Sequence, residues 1–247
     1  LYPEYLTDPA IFFCPSDANE KPDMIFNPTT KVNEFGKPCS DINRGMRLAD
    51  ASYWYFGWMF DRANGIDIDG TQVQLLAFGD SIGPRQLVES LSNAILPFLL
   101  IPTGGSVTQN DVAALDSDIA TITAGWGNGG SATEAIPQPG GPTTIYRLRE
   151  GIERFLITDI NNAAASAKAQ SDVFIMGDGI GGIPRVTPLT AKVANFNHIP
   201  GGCNVLYMDG HVEFLKYERY GKAPVNEPVA YFMETAMRGF NNLEVSH

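Results

Sequence analysis

The chain has 247 residues, 44% hydrophobic and 18% charged, with 17 Lys and Arg against 28 Asp and Glu and a formal net charge of -11. The apolar content excludes a disordered chain. The acidic balance excludes a general nucleic-acid or anionic-membrane binder, which needs a basic footprint.

At this length one large domain, or one domain with a sizeable insertion, is expected. The sequence starts at Leu1 and carries no secretory leader pattern. Its most apolar run, Ala94 to Ile101, is broken by Pro97 and falls well short of the about 20 residues a membrane-spanning helix needs. The chain therefore reads as a soluble piece.

Residues 1–50 carry Pro3, Pro9, Pro15, Pro22, Pro28 and Pro38, which exclude long helices there. Cys14 and Cys39 both sit in Pro-flanked turns. A bridge between them would close a loop of about 25 residues and contribute roughly 3–4 kcal/mol by chain entropy. Two buried thiols are the other reading. Neither cysteine has a C-x-x-C partner or a His close in sequence, which disfavours metal binding. Cys203 reads as a buried free thiol.

Residues 51–60, rich in aromatics, read as a strand, with Gly57 marking a bulge or a close backbone approach. Asp61, Asn64, Asp67 and Asp69 place oxygen ligands in a loop suited to calcium. An EF-hand is excluded, because the twelfth positions counted from Asp61 and Asp67 are Gln72 and Phe78. A solvated acidic turn is the plain alternative. The block Phe78-Gly79-Asp80-Ser81-Ile82 resembles the nucleophile block of the GDSL hydrolases. Such a serine needs a late Asp-x-x-His, and the residues three before His198, His211 and His247 are Asn195, Met208 and Glu244. A Ser81 hydrolase is therefore the third-ranked function.

Residues 84–96 and 110–122 read as helices, and 62–143 as an insertion on a simpler core. Ile145, Leu148, Ile152, Phe155 and Leu156 form one apolar stripe, which predicts a helix over 145–157. An Ala-rich short helix over 161–170, a strand over 172–176 and a flexible Gly-rich turn over 177–182 follow. Asp209-Gly210 between two apolar runs predicts a hairpin with a two-residue turn. In that register Val205, Tyr207, Val212 and Phe214 share the core face. A helix over about 228–240 closes the chain. His198, Asp209 and His211 could form a metal site, but the ordinary reading is that His198 ties its loop to the hairpin.

The run Asn195 to Phe214, with His198, Gly201, Gly202, Asn204, Asp209 and Gly210, resembles the C-terminal signature of the prepilin-processing-associated H-X9-DG proteins. Ten residues separate His198 from Asp209, one more than that name specifies. Leu1 to Asp17, Ser52 to Trp58 and Tyr146 to Asn162 also look like this family. The resemblance implies a pilin-like or pseudopilin-like head: α+β, with an antiparallel sheet, the Asp-Gly hairpin and packed helices. It implies an exported protein at the periplasm or cell surface, which favours the Cys14–Cys39 bridge. It implies a membrane contact only through an N-terminal helix that these residues lack. Calcium in some pseudopilin heads favours the Asp61–Asp69 loop. The family supplies no catalytic residues. The expectation is a single head, 1–247, acting as a non-enzymatic structural subunit through protein contacts, as a homo-oligomer or filament. The runner-up is an exported module that binds a partner protein or surface polymer through 62–143.

Overall fold

The computed structural model describes residues 8–17, 21–27, 29–33, 52–64, 73–74, 82–90, 93, 108–121, 124–129, 140–152, 170–181, 195–198, 201–230 and 232–233. After short 3-10 turns at Pro9–Phe12 and Pro22–Ile25 come β1 (Tyr53–Tyr55), β2 (Val73–Gln74), β3 (Ile82–Gly83), α1 (Arg85–Ser90) and α2 (Gln109–Leu115). Then follow β4 (Ile119–Ala120), β5 (Thr144–Ile145), β6 (Phe174–Asp178), β7 (Ile180–Gly181), β8 (Asn195–Phe196), β9 (Gly202–Tyr207) and β10 (Val212–Lys216). β1, β6, β9 and β10 form a four-stranded antiparallel sheet in that order. The remaining strands form small antiparallel pairs. The architecture is α+β, with few helices. No helix among the described residues is long and apolar enough to cross a membrane.

One face of the sheet is the core. Trp54, Phe174, Cys203, Val205, Tyr207 and Leu215 are buried there with Phe60, Val225 and Phe232. Trp54 meets Phe174 edge-on at 5.7 Å, an arrangement that satisfies the ring quadrupoles. Trp54 fits because its cross-strand partner is Gly177: a Cβ at Gly177 would lie 2.6 Å from Trp54 Cζ2. The described parts of 62–143 add Ala63, Leu87, Val88 and Ile119 to this same core.

Several expected elements differ. The aromatic strand is three residues long, because Gly57 takes a φ of 75°. It does mark a close approach, since a Cβ there would collide with the Arg147 guanidinium. The helix expected over 145–157 is not formed in its described part. Ile145 pairs with Ile119 in a strand, Tyr146 N–H donates to Asn128 Oδ1 at 2.7 Å, and Leu148 N–H donates to Gly57 O at 2.9 Å. Tertiary partners thus take the backbone groups a helix would need, and Gly151 has a φ of 73°. Residues 153–157 lie outside the described residues, as do 161–169. The flexible turn expected over 177–182 is instead the end of β6 followed by β7. Residues 119–120, expected inside a helix, form β4. Of the closing helix, 227–230 and 232–233 are helical.

The hairpin forms, but one residue out of the expected register. Val212 pairs with Leu206, Glu213 with Val205 and Phe214 with Asn204. Gly210 N–H donates to Tyr207 O at 2.9 Å and Tyr207 N–H to His211 O at 3.0 Å, with Gly210 at φ 90°. This is a three-residue loop ending on a left-handed glycine. A one-residue slip turns every side chain to the opposite face. Val212 and Phe214 are therefore 63% and 52% exposed, and Leu215 enters the core in their place.

This register makes Leu215→Ala cost about 2–4 kcal/mol, whereas Val212→Ser changes stability by less than about 0.5 kcal/mol. Urea midpoints of the two variants check the ranking; the reverse order would restore the two-residue loop.

Candidate functional site

The described residues that gather the most chemistry meet at the end of β6. Asp178 is the last residue of that strand and is 3% exposed. Its Oδ2 accepts from the backbone N–H of Asn204 at 2.8 Å and from Asn204 Nδ2 at 2.9 Å, both on the neighbouring β9. The carboxylate thus takes up a β9 backbone donor at the end of the ladder. Its position in sequence, between Gly177 and Gly179, lets the chain leave the sheet there, and Gly179 N–H donates to Ser52 O at 2.7 Å.

His198 reaches the same oxygen from the loop before β9. Gly201 N–H donates to His198 O at 3.0 Å, and His198 bridges to Gly202. This tight turn folds the imidazole back over the sheet. His198 Nε2 lies 2.8 Å from Asp178 Oδ2 and 3.2 Å from Asn204 Nδ2. The Phe214 ring stands edge-on to it at 6.2 Å.

The N-terminal segment supplies the fourth group. Cys14 follows the first 3-10 turn, and Asp17 N–H donates to Cys14 O at 3.0 Å. Asp17 is itself buried and accepts from Ser52 Oγ at 3.1 Å, which ties the segment to the start of β1. Cys14 is buried, with Sγ 3.6 Å from His198 Nε2. Its thiol is free, so the bridge expected from Cys14 to Cys39 is not made at the Cys14 end. Cys39 lies outside the described residues.

Sulfur, carboxylate and imidazole here do not form a nucleophilic triad. A triad puts the nucleophile and the orienting acid on opposite ring nitrogens, whereas Cys14 and Asp178 both face Nε2. The group is a convergent node, with ligand atoms of Cys14, Asp178 and His198 all within 4.8 Å of one another. Its charges act on neighbours. Burial first, then Cys14 and Asp178, push the Tyr53 phenol above its ordinary pKa. Burial first, then Asp178, push the free thiol of Cys203 far up, leaving it an inert core group.

The motif residues separate into two places. His198, Gly201, Gly202 and Asn204 belong to this node. Asp209 and Gly210 close the hairpin. Asp209 accepts from His211 N–H at 3.1 Å and from its ring Nδ1, which holds the carboxyl below its ordinary pKa. His211 stacks on Tyr207 at 4.5 Å between centroids, away from His198. A metal site joining His198 to Asp209 and His211 is therefore not built.

Two residues of the expected calcium loop, Asp61 and Asn64, are engaged elsewhere. Asp61 is buried, and its two oxygens accept from Gln86 Nε2 at 2.7 Å, Asn128 Nδ2 at 3.0 Å and Gly129 N at 2.8 Å. Asn64 Oδ1 accepts from Ala223 N at 3.0 Å. N–H donors occupy the oxygens that would face a cation. Asp67, Asp69 and Ser81 lie outside the described residues.

Sequence reasoning missed Asp178, read as part of a turn, and the approach of Cys14. One signal was present: a carboxylate directly after an apolar strand, flanked by glycines, is a group the fold must bury or expose at a ladder end.

Asp178→Ala leaves the Asn204 backbone N–H without its acceptor and the His198 ring without its anchor, and is expected to cost roughly 2–4 kcal/mol by chemical denaturation; a loss under about 1 kcal/mol would contradict this role. Burial raises the folded-state pKa of Tyr53, Tyr207 and Tyr217, for Tyr207 against the opposing effect of Lys222. A raised folded value keeps the proton that the unfolded chain gives up, so these groups support the fold below about pH 10 and destabilise it as pH rises further. An absorbance titration should leave them protonated beyond the ordinary tyrosine range and release them on alkaline unfolding.

No protein-family model, no curated protein and no solved structure matches the chain.

Proposed function

We propose that this chain is an exported, non-enzymatic structural subunit of a pilin-like or pseudopilin-like assembly, and that it contacts a second copy through the outer face of its four-stranded sheet. One observation carries the reading. Tyr55 pairs with Met176, Met176 with Leu206, and Leu206 with Val212. Paired residues point to the same side, so these four form one apolar row across every strand of the sheet, on the face opposite the core. Tyr55 and Val212 are exposed, and Met176 and Leu206 are partly exposed. Phe214 extends the patch on the edge strand β10.

A contiguous apolar patch of this kind marks a contact surface. An edge strand with outward apolar side chains invites pairing with another chain. The resemblance of 195–214 to the H-X9-DG signature supplies the assembly class. The motif residues accounted for above work in folding: His198 in its node, Asp209 and Gly210 in the turn.

Sedimentation velocity over a concentration series tests the reading. The chain is expected to self-associate, and the double variant Tyr55→Lys, Val212→Lys to weaken association by at least about tenfold, about 1.4 kcal/mol, with an unchanged melting temperature. A wild-type chain that stays monomeric throughout would overturn it.

A further inference from the structure

Cys14, Asp178 and His198 come from three separate segments, and the Cys14–His198 contact spans 184 positions of the chain. Their ligand atoms lie within 4.8 Å of one another. We propose that they bind one zinc ion, which clamps the N-terminal segment to the sheet.

Hydrogen bonding alone does not satisfy this node. His198 Nε2 faces an acceptor, Asp178 Oδ2, at 2.8 Å, the Cys14 sulfur at 3.6 Å, and a donor, Asn204 Nδ2, at 3.2 Å. With a proton on Nε2, His198 and Asn204 Nδ2 both donate to Asp178 Oδ2, and the Cys14 thiol faces a nitrogen with no lone pair left. Without it, the Asp178 oxygen meets a lone pair. Neither tautomer serves both Asp178 and Cys14. A cation among the three ligand atoms does: sulfur, nitrogen and oxygen each direct a lone pair at it, and the Asn204 backbone N–H holds the carboxylate as the outer support.

The sulfur–nitrogen spacing agrees with zinc. Bonds of about 2.3 Å to sulfur and about 2.0–2.1 Å to nitrogen at a tetrahedral angle put the two ligand atoms about 3.5 Å apart, against the observed 3.6 Å. The oxygen and nitrogen, at 2.8 Å, must part by about 0.5 Å to admit the ion. The His198 side chain is 25% exposed, which leaves it room to shift. The donor set also chooses the ion. Thiolate and imidazole suit zinc, while calcium and magnesium take oxygen. Binding releases the thiol proton of Cys14 and any proton held between Asp178 and His198. A water completes the fourth position on the exposed His198 side.

Cobalt(II) titration of the reduced, metal-stripped chain tests the site. One equivalent should bind and produce a near-ultraviolet thiolate-to-cobalt charge-transfer band, which zinc abolishes by displacement. Zinc should raise the melting temperature. Cys14→Ser should remove the band and weaken zinc binding by more than the about 10–100-fold typical of losing an outer partner. Cys39→Ser and Cys203→Ser should keep the band. His198→Gln should also lose it, and near-ultraviolet circular dichroism of each variant checks that the fold is intact. No band in the folded wild-type chain, a band that survives Cys14→Ser, or a band lost in Cys39→Ser would each overturn the proposal. So would mass spectrometry that finds Cys14 disulfide-bonded in the chain as purified.

Discussion

A single carboxylate organises the outer side of this molecule. Asp178 is out of water at the end of a strand, and a buried charge is tolerated only with hydrogen-bond partners in place. Its partners come from β9 and from the loop that precedes β9, and the N-terminal segment closes over them through Cys14. None of these pieces can settle alone. The loop needs the carboxylate to place its imidazole, the carboxylate needs β9 to replace water, and the segment packs on the surface the other two create.

The two sides of the sheet divide the work. On the inner side, large rings fill the space around Gly177 and the core is apolar up to Glu213 on the edge strand. On the outer side, Tyr53, Asp178, Asn204 and Phe214 form one cross-strand row, and Tyr55, Met176, Leu206 and Val212 form the next. The first row is polar at its centre, and that centre is covered by chain from two directions. The second is apolar, and its outer members remain open to solvent. A strand pitch of about 3.3 Å per residue puts the two rows only about 7 Å apart, so the polar node stands directly beside the apolar row.

The sequence made some of this legible, and the failures have physical causes. The Asp-Gly pair announced the hairpin, yet two-residue and three-residue loops both accept that pair. They differ in whether Asp209 also takes a positive φ, which it does not here, and that decides which of Val212 and Leu215 is buried. The apolar spacing of Ile145, Leu148 and Ile152 fitted a helix, but the spacing says nothing about Asn128, Gly57 and Met59, which take the backbone groups of that stretch. Likewise Asp61 read as a cation ligand because its neighbours in sequence are acidic. Its neighbours in space are amides. The Cys14 node was the least legible, since its members come from the two ends of the chain and no short motif can register them.

That separation bears on how the protein comes to be folded at all. A contact spanning 184 positions belongs to the slowest class to form, because loop closure must precede any gain from it. During synthesis Cys14 emerges long before His198 exists. The N-terminal segment must then wait, with its thiol accessible, until the hairpin is complete. The interval before the node closes is when Cys14 is most open to oxidation or to a wrong partner.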